Sequence, residues 1–166
     1  MRKNSIKISL FIFLLLCLSS CGFKPMYKLS ENDAVFKSYS ISIINEANIS
    51  REIKEEIRKS FPSDNVMSNY HIEIEATQTL DPLITNTDGT ISKYRVEIIL
   101  DFKVKDNDRN IYLMENKARG FAQYTVETSE IESNDKKKRM IQTATRDAVQ
   151  MMSSKIQSDT SITNDN

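Results

Sequence analysis

The chain has 166 residues, with 23 basic and 23 acidic side chains and one histidine. This length suits one domain, because single domains typically run to about 100–200 residues. The balanced charge argues against a strongly basic nucleic-acid binder, and the single histidine argues against a histidine-ligated metal site or a catalytic triad.

The first twenty residues are predicted to be a signal peptide. Basic residues precede an almost wholly apolar run over residues 8–18, which is too short to span a bilayer but has the length of the apolar region of a secretory signal. Ser19 and Ser20 then lead to Cys21, and the order Leu-Ser-Ser-Cys resembles the lipobox of bacterial lipoproteins. Such proteins are cut before the cysteine, which is acylated. The alternative is an ordinary signal peptide with an incidental cysteine.

Lipidation of Cys21 would decide several properties of the mature chain. Cys17, the other cysteine, lies in the removed segment, so no thiol is left for a disulfide, for catalysis or for a metal site. Several acyl chains on one residue anchor a protein stably in a membrane. We therefore expect covalent lipid and no other cofactor. In the lipoproteins that this segment resembles, a glycine after the cysteine, here Gly22, permits transfer to the outer membrane.

A tether and a strand are predicted next. Residues 21–34 combine Pro25 with short polar side chains, which does not suit a regular element. Residues 35–44 are a candidate strand, because apolar and serine side chains alternate with the period of two that a half-buried strand requires. The apolar positions of that strand are Tyr39, Ile41 and Ile43.

An amphipathic helix is predicted over residues 49–61. An apolar residue recurs every four positions and charged residues cover the remaining surface, as in a helix with one buried face. Asn48 or Ser50 would cap its start, and Pro62 would end it, since proline cannot continue the helical hydrogen bonding. The predicted buried positions are Ile49, Ile53, Ile57 and Phe61.

Three strands with alternating side chains follow the helix. Residues 70–77 and 93–105 alternate apolar with polar or charged side chains, the pattern of a sheet with one buried face. The turn-forming cluster at residues 106–110 predicts a hairpin, so that the last strand returns through residues 111–126. The predicted core positions of that strand are Tyr112, Met114, Tyr124 and Val126.

Two glycines carry further predictions. Residues 81–90 are interpreted as the loop between the first two of these strands, with Gly89 in its turn. Leu83 and Ile84 in this loop are either core residues or an apolar tip that contacts a partner. Gly120, within the last strand, predicts a bulge or a bend.

A long helix is predicted over residues 131–157. Ser129 and Glu132 have the spacing of a capping box, in which each side chain bonds a backbone N–H of the first turn, and an apolar stripe follows. Residues 158–166 are polar and are expected to form a disordered tail. The stripe consists of Ile141, Ala144, Ala148, Met151, Met152 and Ile156.

Together these elements predict an α+β fold in a single domain over residues 35–157. The order is strand, helix, three strands, helix, and each element has one apolar face. The economical packing places both helices on one face of a four-stranded, mostly antiparallel sheet. The other face of the sheet would then be charged and open to water or to a partner.

No residue pattern indicates an enzyme. His71 and Glu73 share one face of a strand and could act as an acid–base pair, and Glu73 with Glu75 could form a pair of carboxylates. Neither pair is accompanied by a nucleophile motif or by a glycine-rich phosphate loop. The alternative, which we favour, is that all three are solvated side chains of a polar sheet face.

A basic stripe is the stronger candidate for binding. Lysine and arginine alternate with other residues on the second and third of these strands, so that they share one face. Such a stripe could contact a phosphorylated lipid or an anionic glycan, to which arginine and lysine supply charge-assisted hydrogen bonds. The alternative is a solvated face on which neighbouring acids balance the charge. The stripe comprises Lys93, Arg95, Lys117 and Arg119, with Lys103 and Lys105 on the same strand as the first two.

Three segments of the chain resemble parts of one known family. The most specific is the heptapeptide at residues 21–27, Cys-Gly-Phe-Lys-Pro-Met-Tyr. The turn at residues 88–90, followed by Tyr94 and an alternating strand, resembles the central hairpin of that family, and residues 121–124 with the long helix after them resemble its last third. The family is LptE (RlpB), the lipopolysaccharide-assembly lipoproteins, whose α-proteobacterial members often begin Cys-Gly-Phe-x-Pro-Leu-Tyr.

The resemblance implies a non-enzymatic protein with two helices and four strands. LptE proteins sit in the lumen of the LptD β-barrel at the outer membrane, help it to fold, plug it, and are thought to contact lipopolysaccharide on its way to the outer leaflet. A lipid-anchored, periplasm-facing protein is therefore implied, with an LptD-type barrel and lipopolysaccharide as partners. The implied lipopolysaccharide contacts are Lys93, Arg95, Lys117 and Arg119.

Two departures leave those contacts open. Thr87 and Asp88 stand where some members carry a basic residue before the hairpin glycine, and residues 125–134 are acidic rather than basic. A different function also fits a small lipoprotein, namely binding of lipid or another small ligand for an envelope transporter. That function predicts a concave apolar pocket, whereas the assembly function predicts a solid two-layer domain with broad polar surfaces.

Overall fold

The computed structural model describes residues 39–61 and 68–159 of the chain. All of them fall within one compact unit, Ala34–Asn166. The predicted signal peptide, the lipidation site at Cys21, the tether, the start of the first predicted strand and the tail from residue 160 onward lie outside the described residues. So does Pro62, the predicted end of the first helix.

The described residues form a four-stranded sheet and two long helices. In chain order the elements are β1 (Tyr39–Ile43), α1 (Arg51–Ser60), β2 (Tyr70–Thr85), β3 (Ile91–Asp106), β4 (Ile111–Thr125) and α2 (Glu130–Ser158), with a short 3₁₀ turn at Glu46–Asn48. The strands lie side by side in that same order, with β1 parallel to β2 and the other neighbours antiparallel. The predicted α+β fold and its element order are confirmed.

An apolar core lies between the helices and one face of the sheet. On β2 and β3 every second side chain is buried over long stretches, as alternation requires, and the buried faces of α1 and α2 cover them. Removing a large aliphatic side chain from water stabilises the fold by about 1.5–3 kcal/mol. The largest fully buried side chains are Ile53, Ile57, Ile72, Ile74, Val96, Ile98, Leu100, Phe102, Val104, Val149, Met152 and Ile156.

An ion pair joins α1 to α2 beside their apolar contacts. Ile53 and Ile57 fill the core as predicted, and Ser50 is the N-cap residue, although its side chain makes no capping bond. Glu56 is also buried, and its carboxylate lies 2.8 Å from Nε of Arg146 on α2. Burying a carboxylate is costly unless it is paired, so this contact favours one arrangement of the two helices.

The long helix α2 begins and buries its apolar stripe nearly as predicted. The N–H of Glu132 donates to the hydroxyl of Ser129 at 3.4 Å, which is one half of the predicted capping box. One member of the predicted stripe was wrong, because Met151 is 45% exposed. Successive helical residues point about 100° apart, and since Met152 points into the core, Met151 lies on the flank of the helix.

The expectation of a loop over residues 81–90 was wrong, because β2 continues to Thr85. A register shift separates Pro82 from Ile84. Proline is tolerated here because the backbone nitrogen of residue 82 points away from β3, toward the free edge of β2. No partner strand requires an N–H on that side. The turn itself covers residues 86–90, in which Gly89 has a φ of 84° and bonds the carbonyl of Asn86.

Several apolar side chains at the ends of the strands are exposed. Tyr112 and Val126 were predicted to be core residues and lie at the surface instead, whereas Tyr124 is buried as predicted. Leu83 and Ile84 are also exposed. Of the two alternatives for these two residues, the structure supports an apolar tip and not a core position.

Of the bulge or bend predicted at Gly120, the bulge was wrong, because Gly120 pairs with Ile98 in regular register. The irregularity in β4 lies at Leu113, because Met114 pairs with Val104 and Tyr112 pairs with Lys105. Gly120 instead marks the place where α2 approaches the sheet most closely. A glycine is required there because a side chain would collide with the helix backbone.

Candidate functional site on the open face of the sheet

The face of the sheet opposite the helices carries most of the polar strand side chains, and we call it the open face. Odd-numbered residues of β3 point to it, and their even-numbered neighbours point into the core. The same parity holds on β2 as far as Asp81, and on β4 from Lys117 to Thr125. This is the surface that the sequence predicts to be charged and open.

The structure brings the four predicted stripe residues onto this face in two groups. Lys93 and Arg95 lie on β3 near the turn that joins it to β2, whereas Lys117 and Arg119 lie on β4 beside the middle of β3. The strand register places Lys117 directly opposite Asp101. A shared face is what a binding stripe needs, but contact with lipopolysaccharide stays a prediction.

Neighbouring carboxylates pair with three of the four stripe residues. Exposed pairs of this kind contribute about 0.2–1 kcal/mol each, so an anionic ligand can compete with them. Lys93 forms no ion pair with any described residue. The open face is therefore a lattice of alternating charges, as in the solvated alternative, and not a continuous basic stripe. The pairs are Lys117 with Asp101 at 3.0 Å, Arg95 with Asp81 at 3.2 Å and Arg119 with Glu97 at 3.8 Å.

Arg95 keeps hydrogen-bonding capacity after it has paired with Asp81. Its Nε is buried and has no hydrogen-bond partner in the described part of the chain, and the same holds for Oγ1 of Thr79 on β2. A buried polar atom without a partner costs about 1–3 kcal/mol. The guanidinium carbon of Arg95 also lies 5.8 Å from the centre of the Phe121 ring, which holds the side chain against the sheet.

A second exposed aromatic residue lies at the other end of the open face. The ring of Tyr112 is 5.8 Å from Nζ of Lys103 and 6.0 Å from Nζ of Lys105. Its hydroxyl donates to the carboxylate of Glu73 at 3.2 Å, a bond that spans β3. The hydrogen bond and the negative charge of Glu73 raise the pKa of Tyr112 above its ordinary value.

Sequence reasoning missed both aromatic residues as parts of the site. Phe121 is odd-numbered, like the stripe residues Lys117 and Arg119 on the same strand. This alternation could have placed it on the open face. No comparable signal existed for Tyr112. The bulge at Leu113 reverses the parity of β4 at that point, and a bulge cannot be read from alternation alone.

His71 is not the solvated side chain that the sequence suggested. Its Nδ1 lies 2.7 Å from the hydroxyl of Ser40 and its Nε2 lies 2.9 Å from that of Ser42. Both serines belong to β1, so this ring adds side-chain hydrogen bonds to the backbone pairing of β1 with β2. Because both ring nitrogens are engaged in this way, the geometry does not present His71 as a free base beside Glu73.

A groove on the open face is lined mainly by charged side chains. Such a lining does not form the concave apolar pocket that a carrier of small lipids requires. Within the described ranges, no three metal-binding side chains cluster, and no helix there is long and apolar enough to cross a membrane. The residues of the groove are Ile44, Glu73, Glu75, Asp101, Phe102, Lys103, Glu115, Asn116 and Lys117.

Comparison with known protein families identifies the family to which the chain belongs. The family model of LptE, described as lipopolysaccharide-assembly, matches residues 36–156. The chain belongs to the LptE family. The resemblance stated from the sequence is confirmed, and the chain is a lipopolysaccharide-assembly lipoprotein of the outer-membrane envelope, in a family without an enzymatic role. The signal peptide and the lipid on Cys21 stay predictions.

Three solved structures share the LptE fold with this chain. A candidate lipoprotein from Caulobacter crescentus has a TM-score of 0.55 at 8% identity, over 74% of this chain and 90% of its own. Rare lipoprotein B from Shewanella oneidensis has a TM-score of 0.50 at 16% identity, over 70% and 94%. A minor lipoprotein from Acinetobacter baumannii has a TM-score of 0.54 at 12% identity, over 73% and 90%. No curated protein matches the chain.

Proposed function

We propose that this LptE protein assembles with an LptD-type β-barrel at the outer membrane and plugs its lumen. A lipid on Cys21 anchors it on the periplasmic side, and its open face contacts lipopolysaccharide as the lipid passes to the outer leaflet. The observation that carries this proposal is the family match over residues 36–156. The two-layer fold and the charged open face add physical support.

A plug for a barrel needs a solid body with polar surfaces. The core between the helices and the sheet buries many large apolar side chains, which suits a solid body. The lumen of an outer-membrane barrel is polar, and a face of alternating charges suits such a wall. This charged face favours a plug over a carrier of small lipids, which would need an apolar cavity.

Contact with lipopolysaccharide would use the weakness of the surface ion pairs. Arg95 and Arg119 are held by carboxylates of neighbouring strands, yet their own side chains stay 41% and 53% exposed, so phosphate can compete for the two guanidinium groups. Lys93 has no carboxylate to give up among the described residues. Charge-assisted hydrogen bonds to phosphate are stronger than those between neutral groups, so the region around Lys93 and Arg95 is the favoured point of contact.

Copurification tests the proposal. The tagged full-length chain is purified from detergent-solubilised outer membranes, and the accompanying proteins are identified by mass spectrometry. We expect a large β-barrel in about equal amount. The matched control is Cys21→Ser, which removes the acylation site and should shift the chain out of the outer-membrane fraction. Recovery of an inner-membrane transporter subunit or of bound lipid, without a barrel, would overturn the proposal in favour of the auxiliary lipoprotein.

A further inference from the structure

The outer edge of β4 carries backbone groups without partners in the described part of the chain. Even-numbered residues of β4 face β3, since the next even position, Val126, donates its N–H to the carbonyl of Ser92 at 2.9 Å. Hydrogen-bonding direction alternates along a strand in an antiparallel pair. The N–H and C=O groups of Arg119, Phe121 and Gln123 therefore point away from the sheet.

Parts of the free edges of β2 and β4 are blocked. The side-chain amide of Asn45 bonds both the N–H of Ala76 (3.1 Å) and its carbonyl (2.7 Å), and so ends the pairing along β2. Farther along that edge, Pro82 has no N–H to offer. On β4, the N–H of Lys117 bonds the side chain of Asn116 at 2.8 Å. Blocking of this kind prevents unwanted strand pairing, and the stretch from Arg119 to Thr125 lacks it.

Apolar side chains line the unblocked edge on both sides. Phe121 is 48% exposed on the open face. On the helix side, Nζ of Lys155 reaches the edge of β4 and bonds the carbonyl of Lys117 at 2.6 Å. Met151 lies one helical turn before Lys155, on the same flank of α2, and Met140 lies about three turns before Met151. A strand laid along β4 would therefore place alternate side chains on Phe121 and on the two methionines.

The charge beside this edge selects the kind of strand that fits. Lys117 and Arg119 already pair with carboxylates of β3 on one side, yet their side chains stay 47% and 53% exposed. A strand on the other side would lie next to both cations. Opposite charges on neighbouring strands stabilise a sheet, and like charges destabilise it. A second copy of this chain would bring its own Lys117 and Arg119 to the seam, whereas a strand with carboxylates neutralises them.

We propose that the edge of β4 from Arg119 to Thr125 binds an extended segment of a partner protein as a fifth strand. The segment carries carboxylates next to Lys117 and Arg119 and an apolar side chain next to Phe121. Strand addition of this kind draws affinity from main-chain hydrogen bonds and specificity from alternate side chains. The inference goes beyond plugging of a barrel and does not depend on it, because a closed barrel offers no free strand edge.

Titration with short synthetic peptides tests this proposal on the full-length chain in detergent. One peptide carries two glutamates and a valine at successive positions of one strand face, with valines at the positions between them, and the control peptide has lysine in place of glutamate. We expect the glutamate peptide to slow amide hydrogen exchange at Arg119, Phe121 and Gln123, while the even-numbered amides of β4 stay unchanged. The lysine peptide should bind about tenfold more weakly.

Two variants separate edge pairing from unspecific binding. Gln123→Pro removes one outward N–H and should weaken the glutamate peptide about tenfold, whereas Gln123→Ala keeps that N–H and should bind like the original chain. Arg119→Glu should reverse the preference between the two peptides, which keeps the test valid if the proline variant does not fold. Unchanged exchange at saturating glutamate peptide would overturn the proposal. The proposal would also be overturned if, without peptide, the protection of these amides from exchange rose with protein concentration, because a second copy would then occupy the edge.

Discussion

A Cβ atom on Gly120 would lie 1.9 Å from the carbonyl oxygen of Ala144 and 2.6 Å from the amide nitrogen of Ala148. Real side chains do not approach a backbone so closely, so the strand β4 and the helix α2 meet without any side chain between them. The two alanines continue this close contact along the helix. This seam fixes the distance between the helix layer and the sheet.

Substitution of Gly120 should therefore be far more harmful than its small size suggests. We expect Gly120→Ala to lower the free energy of unfolding by about 3 kcal/mol or more, because the backbone of either α2 or β4 must shift. The matched control is Gly89→Ala. No atom lies within 4 Å of a Cβ there, and only the positive φ is strained, at a cost of about 1–2 kcal/mol. Urea unfolding that showed equal losses for both variants would contradict the close contact.

The pair of Glu56 and Arg146 should matter more than exposed ion pairs. We expect Arg146→Ala to destabilise the fold by about 1–3 kcal/mol, because it leaves the buried carboxylate of Glu56 without its nearest partner. Arg58→Ala breaks the exposed pair with Glu46 and should cost less than about 1 kcal/mol. Urea denaturation of both variants measures the difference. If the two losses were the same, Glu56 would not depend on Arg146.

Alkaline pH should destabilise the protein through Tyr39. Burial, together with the neighbouring phenol of Tyr70, raises the pKa of Tyr39 from 10.0 to about 12. The folded state thus prefers the neutral phenol. The contribution of this phenol to the free energy of unfolding is therefore complete below pH 10 and is lost as the pH rises from 10 to 12. We expect Tyr39→Phe to reduce this loss. The free energy of unfolding of both proteins is measured across this range. If it fell equally with pH in the two, Tyr39 would ionise freely in the folded state.

Much of the architecture follows from alternation and helical spacing. The regular pattern from Tyr94 to Val104 predicts a strand with one buried face, and the structure has that strand. Alternation could not predict the bulge at Leu113, because one inserted residue reverses the parity of all residues on one side of it. Pro82 and the turn-forming residues after it suggested a loop, although proline is acceptable on the unpaired edge of β2.

The site could be predicted only in part, because its chemistry depends on neighbours that are distant in the chain. Alternation alone placed Lys117 and Arg119 on a polar face. It could not show that Asp101 and Glu97 would stand close enough to balance them. That balance follows from the register of β3 with β4. In the same way, the serines that hold His71 come from a strand about thirty residues earlier in the chain.

Lipopolysaccharide binding should depend on the cations near the β2–β3 turn. We expect the double variant Lys93→Ala, Arg95→Ala to weaken binding of purified lipopolysaccharide about tenfold, since charge-assisted hydrogen bonds to phosphate are lost. The control Lys138→Ala, Arg139→Ala removes the same net charge from the exposed surface of α2. Equal losses in the two double variants, measured by titration at fixed salt, would indicate attraction by overall charge and not a site on the open face.

Ion conductance of the barrel tests the claim of a plug most directly. The LptD-type barrel from the same cells is reconstituted in a planar bilayer, alone and after assembly with this chain. We predict open channels for the barrel alone and a large fall in conductance for the complex, because a solid two-layer domain would fill the lumen. Unchanged conductance in a complex of equal stoichiometry would contradict the plug, and the protein would then bind the barrel from outside its lumen.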